Sequence, residues 1–358
     1  MGSSIAIAAR PRRTDLDVAT SPSHRSRTIA DVARRAGVSL ATVSRVMNGN
    51  PSVDEAMAEK VRAAAAELNY SASPLARSLV LGKTNTIAVV VPDLENPSFH
   101  GLLRGLSRAA ARDGYHILIA DSEESVAEEK LLAVETRRRS DGIVLCAPRM
   151  AEADLQPLLE ELKPVVLVHR DAGASRTPVV SADHRTALLD LVDLLYGYGH
   201  RSLVYLAGAP QSAANARRIA AVQDYLDDHP DVTIKIFPCG VSFADGYEAA
   251  ERVLATSATG VLAFNDLVAM GLMGALSERG VSVPGHISVV GFDDIPFARY
   301  ITPPLTTASV PGAELGEQAW HRMWDLLNGR APGHAIFFRP RIERRGSTGP
   351  VRLSKAVR

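Results

Sequence analysis

The sequence predicts an α/β protein: an all-α head followed by a two-lobed core of parallel sheets. Three observations carry this. Residues 28–82 hold short helical stripes punctuated by caps and turns. From Thr86 onward, short apolar runs alternate with amphipathic helical stretches, the pattern of parallel strands covered by helices on both faces. The alternation also runs through two series that open alike, each with an apolar strand, a polar loop and a long helix. A chain of 358 residues exceeds one ordinary hydrophobic core, so two or three domains are expected.

Residues 1–27 carry five arginines against Asp15 and Asp17, lack periodicity and read as a disordered arm. Thr28 is placed to cap a first helix, with Asp31 in its first turn and Ile29, Val32, Ala33 and Ala36 as its apolar stripe. Gly37-Val38-Ser39 breaks that helix, and Ser39 caps a second, from about Leu40 to Met47, whose Val43 and Val46 face inward. Asn48-Gly49-Asn50-Pro51 ends it. Ser52-Val53-Asp54-Glu55 reads as a capping box for a third helix reaching about Leu68. Ser73-Pro74 starts a very short helix, Leu75 to about Leu81, that stops at Gly82. Two helices on a three-residue turn suit a helix-turn-helix, residues 28–72, although a plain three-helix bundle shares the pattern. Residues 73–83 form a hinge or linker.

In the core, strands are expected at Ile87–Val91, His116–Ala120, Gly142–Cys146 and Val165–Val168. The second series has Leu203–Leu206, Thr233–Phe237, Gly260–Phe264 and Ile287–Gly291. A helix at Gly312–Asn328 and a strand-like run at Ala335–Ile342 follow both series, so the chain is expected to cross between lobes more than once. The expected division gives lobe 1 residues 84–181 and 311–330, lobe 2 residues 182–310 and 331–345, and a flexible tail at 346–358.

Composition limits the function. Hydrophobic residues make up 46% and charged residues 22%, and 40 basic side chains balance 40 acidic ones. No apolar run reaches the roughly 18–20 residues of a membrane helix. Arginines follow the short apolar stretch Ile5–Ala9 instead of preceding it, the reverse of a secretory signal, so a cytoplasmic protein is expected. Cys146 and Cys239 read as buried free thiols, and no Cys/His spacing suggests a metal site. Gly82-Lys83-Thr84 lacks the first glycine of a phosphate-binding loop, and no Gly-x-Gly-x-x-Gly opens either lobe. No cofactor and no catalytic residue is expected. In open parallel sheets ligands sit at the carboxyl ends of strands. Here those ends carry Asp93–Phe99, Asp121–Glu123, His169–Asp171, Ala209–Arg218, Asn265-Asp266 and Asp293-Asp294, polar groups that suit a hydroxyl-rich ligand.

The run Thr28-Ile-Ala-Asp-Val-Ala-Arg-Arg-Ala-Gly-Val-Ser-Leu-Ala-Thr-Val-Ser-Arg-Val-Met-Asn-Gly is very similar to the head of the lactose/galactose repressor (LacI/GalR) family. The likeness continues through Leu75-Ala76-Arg77-Ser78-Leu79, Val91-Pro92-Asp93, Gly199-His200-Arg201, Phe264-Asn265-Asp266, Val290–Asp294 and Pro304–Thr307, spanning roughly residues 28–345. It implies a homodimeric transcriptional regulator, most simply a repressor, with a periplasmic-binding-protein-like core. Its partners would be a pseudo-palindromic double-stranded operator and a small effector, expected to be a carbohydrate. On the DNA side the resemblance places Leu40 and Ala41 at base edges and Arg45 as the reader of a guanine. Thr28, Ser39, Thr42, Ser44 and Asn48 would hold phosphates or frame the helix. Leu75 and Ala76 would lie in the hinge with Leu79, the minor-groove wedge. On the effector side it places Arg218 and Asp293, with Asn265 or Asp266 as a further contact. Asp93, Phe99 and His169 complete the expected site. Two departures stand out: Val241 where many relatives have an aromatic, and His169 where an aspartate is common. The readings to weigh against a regulator are a solute-binding protein, which has no use for residues 28–82, and a sugar-modifying enzyme, which needs a catalytic base that is not visible.

Overall fold

The computed structural model describes residues 27–47, 52–70, 82–331 and 333–351. It divides into two compact units at Gly82.

The first unit holds α1 (Ile29–Ala36), α2 (Leu40–Met47) and α3 (Glu55–Glu67). The Asp31 carboxylate accepts from Thr28 N and Oγ1, both at 2.9 Å, which caps α1. Gly37 ends α1 at φ +67°, a left-handed backbone where a side chain would be strained. Ser39 Oγ accepts from Thr42 N at 3.1 Å and opens α2. The cap of α3 is Asp54, which accepts from Met57 N, and not Ser52 as the capping-box reading required. Val32, Val43, Val46 and Val61 close a small core between the three helices.

The second unit contains two six-stranded sheets of matching order. The first joins β1 (Thr86–Val91), β2 (His116–Asp121), β3 (Gly142–Cys146), β4 (Val165–Val168) and β5 (Val179–Ala182), with α4 (Ser98–Arg112), α5 (Val126–Arg137) and α6 (Glu152–Glu161) between them. The chain then crosses through α7 (His184–Gly197) into the second sheet. That sheet contains β6 (Ser202–Ala207), β7 (Thr233–Pro238), β8 (Gly260–Ala263), β9 (Ser288–Asp293) and β10 (Thr306–Ser309). Its helices are α8 (Ala213–Asp228), α9 (Phe243–Glu248), α10 (Ala250–Leu254) and α11 (Asp266–Glu278). After β10 the chain returns through α12 (Gly312–Leu327), which packs on α4 and the first sheet. Strand orders of 2-1-3-4-5 in the first lobe and 7-6-8-9-10 in the second explain why the two series open alike in sequence.

The final strands correct the expected lobe boundaries. The run Ala335–Ile342 is two strands, not one. β11 (Ile336–Phe338) pairs in parallel with β5 in the first lobe, and only β12 (Arg341–Glu343) joins the second, antiparallel to β10. The tail is not loose through residue 351. Ser347 is fully buried, donates to Val289 O and accepts from Thr306 N, while Gly349 O meets His200 Nε2. Cys146 is buried as expected, but Cys239 is only partly so.

Glycines let α4 and α12 touch backbone to backbone. A Cβ on Gly105 would strike the carbonyl of Ala313, and one on Gly316 the carbonyl of Leu102. Because the obstructing atoms are backbone, Gly316→Ala is expected to lower unfolding free energy by about 1–3 kcal/mol, measured by urea denaturation. Unchanged stability would show that the two helices separate without cost.

Candidate effector cleft and DNA-reading helix

On the first unit, the outward face of α2 differs from its inward face. Val43 and Val46 are buried, whereas Ser39, Leu40, Ala41 and Arg45 are exposed. Leu40 leaves 51% of its surface in solvent, a large apolar side chain with no core to cover it. Thr42 and Ser44 are partly exposed beside them, and Thr28 serves first as a helix cap. Asn48, Leu75, Ala76 and Leu79 lie outside the described residues.

On the second unit, the carboxyl ends of both sheets face one cleft between the lobes. Its walls include Phe99 and Leu102 from α4, Ala147 and Arg149 after β3, and His169 after β4. The opposite wall supplies His184, Arg218, Phe264 and Asp293. Of the expected effector residues, Phe99, His169, Arg218 and Asp293 are brought together here. The other expected side chains are committed elsewhere. Asp93 Oδ1 accepts from Glu95 N. Asn265 caps α11 through Val268 N and donates to Val241 O. Asp266 is fully buried, accepting from Thr307 Oγ1 at 2.6 Å and Ile295 N at 2.8 Å. In this structure Asn265 and Asp266 both tie secondary structure together, and neither is among the residues that line the cleft.

Arg218 is 2% exposed. Its guanidinium lies over the Phe292 ring at 3.4 Å and nearer the edge of reach of Phe264 at 4.9 Å. Nη1 donates to Phe264 O, Nη2 meets His184 Nδ1 at 3.1 Å, and Nε is buried without a partner. Burial raises the Asp293 carboxyl to about 7, while the Arg218 charge pulls it back down. Burial likewise lowers His169 to about 4, helped by Arg218, Arg217 and Arg149, and holds His184 well below its usual value. Arg149 forms a bidentate pair with Glu124, at 2.6 and 2.7 Å, and also donates to Ala147 O. Glu124, Ala147, His169 and Asp293 all take positive φ, between 45° and 108°. Such backbones cost of order 1–3 kcal/mol each and gather at binding sites.

Sequence reasoning missed Glu124, Arg149 and His184. Glu124 stands one residue beyond a strand end that had been marked, and His184 begins a helix. Only the fold shows that these positions reach the cleft.

Two polar lobes around a cleft define a ligand-binding core, and the attached helix-turn-helix defines a DNA-binding protein. Residues 28–73 match the bacterial regulatory proteins of the lacI family, and residues 192–348 match a periplasmic binding protein-like domain. The HTH-type transcriptional regulator GalR of Escherichia coli (strain K12) is 32% identical over 336 residues, covering 91% of this chain and 97% of the relative. Catabolite control protein A of Priestia megaterium is 30% identical over 328 residues, covering 90% and 99%. A lac repressor dimer bound to operator and the anti-inducer ONPF superposes with a TM-score of 0.80 at 26% identity, covering 91% of this chain and all of that one. A LacI family regulator from Enterococcus faecium with bound ribose gives a TM-score of 0.64 at 29% identity, covering 75% of this chain and all of that one. The chain belongs to the lacI family and is a DNA-binding transcriptional regulator.

The Asp293 carboxyl has a testable signature. The folded state holds its proton up to about pH 7, whereas an unfolded aspartate releases it near 4. Between these values the native state binds more protons, so stability falls as pH rises. The thermal midpoint of the wild type is expected to drop relative to Asp293→Asn across that window. Parallel curves for the two proteins would place the carboxyl in a water-like setting.

Proposed function

We propose that this chain works in the cytoplasm as a homodimer that binds a pseudo-palindromic operator, with its affinity set by a polyhydroxylated small molecule in the inter-lobe cleft. The observation that supports it is the cluster of polar side chains in the cleft: Arg218, Asp293 and His169 converge there, the last two on strained backbones, between apolar walls. Solved relatives carry such ligands: the lac repressor ONPG and the Enterococcus faecium regulator ribose. Repression is the simplest outcome, since an operator-bound dimer blocks the DNA it covers. That the similar proteins are transcriptional regulators supports reading the cleft as acting by binding and not by chemistry.

In this reading, Leu40 and Ala41 meet base edges and Arg45 pairs bidentately with a guanine. Ser39, Thr42, Ser44, Thr28 and Asn48 hold the backbone. Leu75, Ala76 and Leu79 belong to the segment that links the units and meets the minor groove. Phe99, His169, Arg218 and Asp293 hold the effector.

The test starts from an operator selected out of random DNA, followed by gel shift against a sugar panel. Asp293→Ala is expected to abolish the effector response and to leave operator affinity without effector intact. Calorimetry showing unchanged effector affinity in that variant rejects the assignment. Arg45→Ala is expected to cost about 1–3 kcal/mol of operator binding and to relax preference at one base position. An equal loss on every sequence would make Arg45 a phosphate contact.

A further inference from the structure

The hydrogen bonds around His169 fix the polarity of one end of the cleft, and with it a chemical class of effector. This rests on the proposed reading of the cleft as the effector site. The backbone N–H of Ala182 reaches His169 Nδ1 at 3.3 Å. A backbone N–H only donates, so Nδ1 accepts and the ring carries its proton on Nε2. His184 Nε2 lies 3.3 Å from the same Nδ1, and opposite a lone pair it must be the protonated nitrogen. His184 Nδ1 is then an acceptor, and Arg218 Nη2, which has only protons to offer, meets it at 3.1 Å. The contacts agree on one arrangement, a relay from Arg218 through His184 to His169 with both rings neutral. What remains is the Nε2–H of His169, a residue of the cleft wall, with no hydrogen-bond partner among the described residues.

Several acceptors around the cleft are already engaged. The carbonyls of Ala147, Pro148 and Phe264 take protons from Arg149, Arg170 and Arg218, and Glu124 holds Arg149. The unmatched group that faces the cleft is a donor, the His169 Nε2–H; Arg218 Nε, also unpartnered among the described residues, is buried out of a ligand's reach. A ligand hydroxyl would bring a further proton needing an acceptor of its own. A carbonyl or carboxylate oxygen brings lone pairs and no proton, which is what the unmatched Nε2–H requires. Asp293 remains for the ligand's hydroxyl protons.

We propose that the effector is a polyhydroxylated molecule with an oxidised carbon, a sugar acid or sugar lactone, whose carbonyl or carboxylate oxygen accepts from His169 Nε2–H.

The experiment uses the full chain labelled with 15N-histidine, the rings assigned through His169→Asn and His184→Asn. Long-range proton–nitrogen spectra at neutral pH are expected to show both rings as Nε2–H tautomers. The protein is then titrated with gluconate, galactonate, xylonate and freshly dissolved gluconolactone, each against its parent aldose and alditol. An acid or a lactone is expected to bind and to move the His169 Nε2 resonance, and the arm that responds distinguishes carboxylate from carbonyl. His169→Asp, which sets lone pairs against lone pairs, is expected to weaken that ligand on the order of 100-fold, while His169→Asn, which keeps a donor, stays within about 10-fold. An Nδ1–H or cationic His169 overturns the relay. Aldoses or alditols binding as tightly as their oxidised counterparts, or no oxidised member binding, overturns the ligand class. Either result leaves the cleft reading standing as long as whatever ligand releases the operator still loses its affinity in Asp293→Ala.

Discussion

Burying one guanidinium organises the core of this protein. Taking Arg218 out of water costs several kcal/mol unless its protons and charge are met. Most of this is met from different parts of the chain, by a carbonyl at the end of β8, a ring on β9, a histidine at the start of α7 and, across the cleft floor, the charge of Asp293, while Nε has no partner among the described residues. Each partner is thereby fixed in place. His184 in turn holds His169 from the other lobe, so desolvation of a single side chain on α8 sets the geometry on both cleft walls.

The same burial explains why the neighbouring carboxylates behave differently. Asp266 is sealed behind the sheet and meets Thr307 and the backbone of Ile295; burial and the nearby Asp293 keep its carboxyl well above the usual range. Gly291 is part of that seal, because a Cβ there would collide with the Asp266 carboxylate. Asp294 points away from the cleft and is neutralised by Arg299 and Arg345. Of these acids, Asp293 is the one that lines the cleft, with the Arg218 charge near it.

How much of this was legible in the sequence follows from where periodicity carries information. The helix-turn-helix was readable because caps and glycines punctuate short helices, although periodicity could not tell whether Ser52 or Asp54 held the last cap. Long apolar strands such as β1 and β3 declared themselves. β10 did not, because Thr306-Thr307-Ala308-Ser309 looks polar, and only the fold shows its hydroxyls satisfied by Thr348 and Asp266. The division of Ile336–Ile342 between two sheets was illegible for the same reason: two short strands facing different lobes look like one. In the cleft, strand-end reasoning found His169, Arg218 and Asp293 but could not separate them from Asn265 and Asp266, which share the same position in the topology and differ only in whom they bond.

The lobes are joined by chain that crosses between them after β5, after β10 and between β11 and β12. Such multiple connections leave few ways to move one lobe against the other, and a ligand shifts that equilibrium only by the difference in its affinity for the two arrangements. Contacts confined to one wall bind without signalling. The relay from Arg218 on the second lobe to His169 on the first avoids this, because the His169 ring, oriented by Ala182 N within its own lobe, also meets His184 from the other. In the proposed binding mode, a ligand oxygen on His169 and a ligand hydroxyl on Asp293 would probe the lobes together, and a difference of about 1–3 kcal/mol between arrangements would be enough for a usable response. That is why the polarity of a single nitrogen in this cleft bears on regulation as well as on recognition.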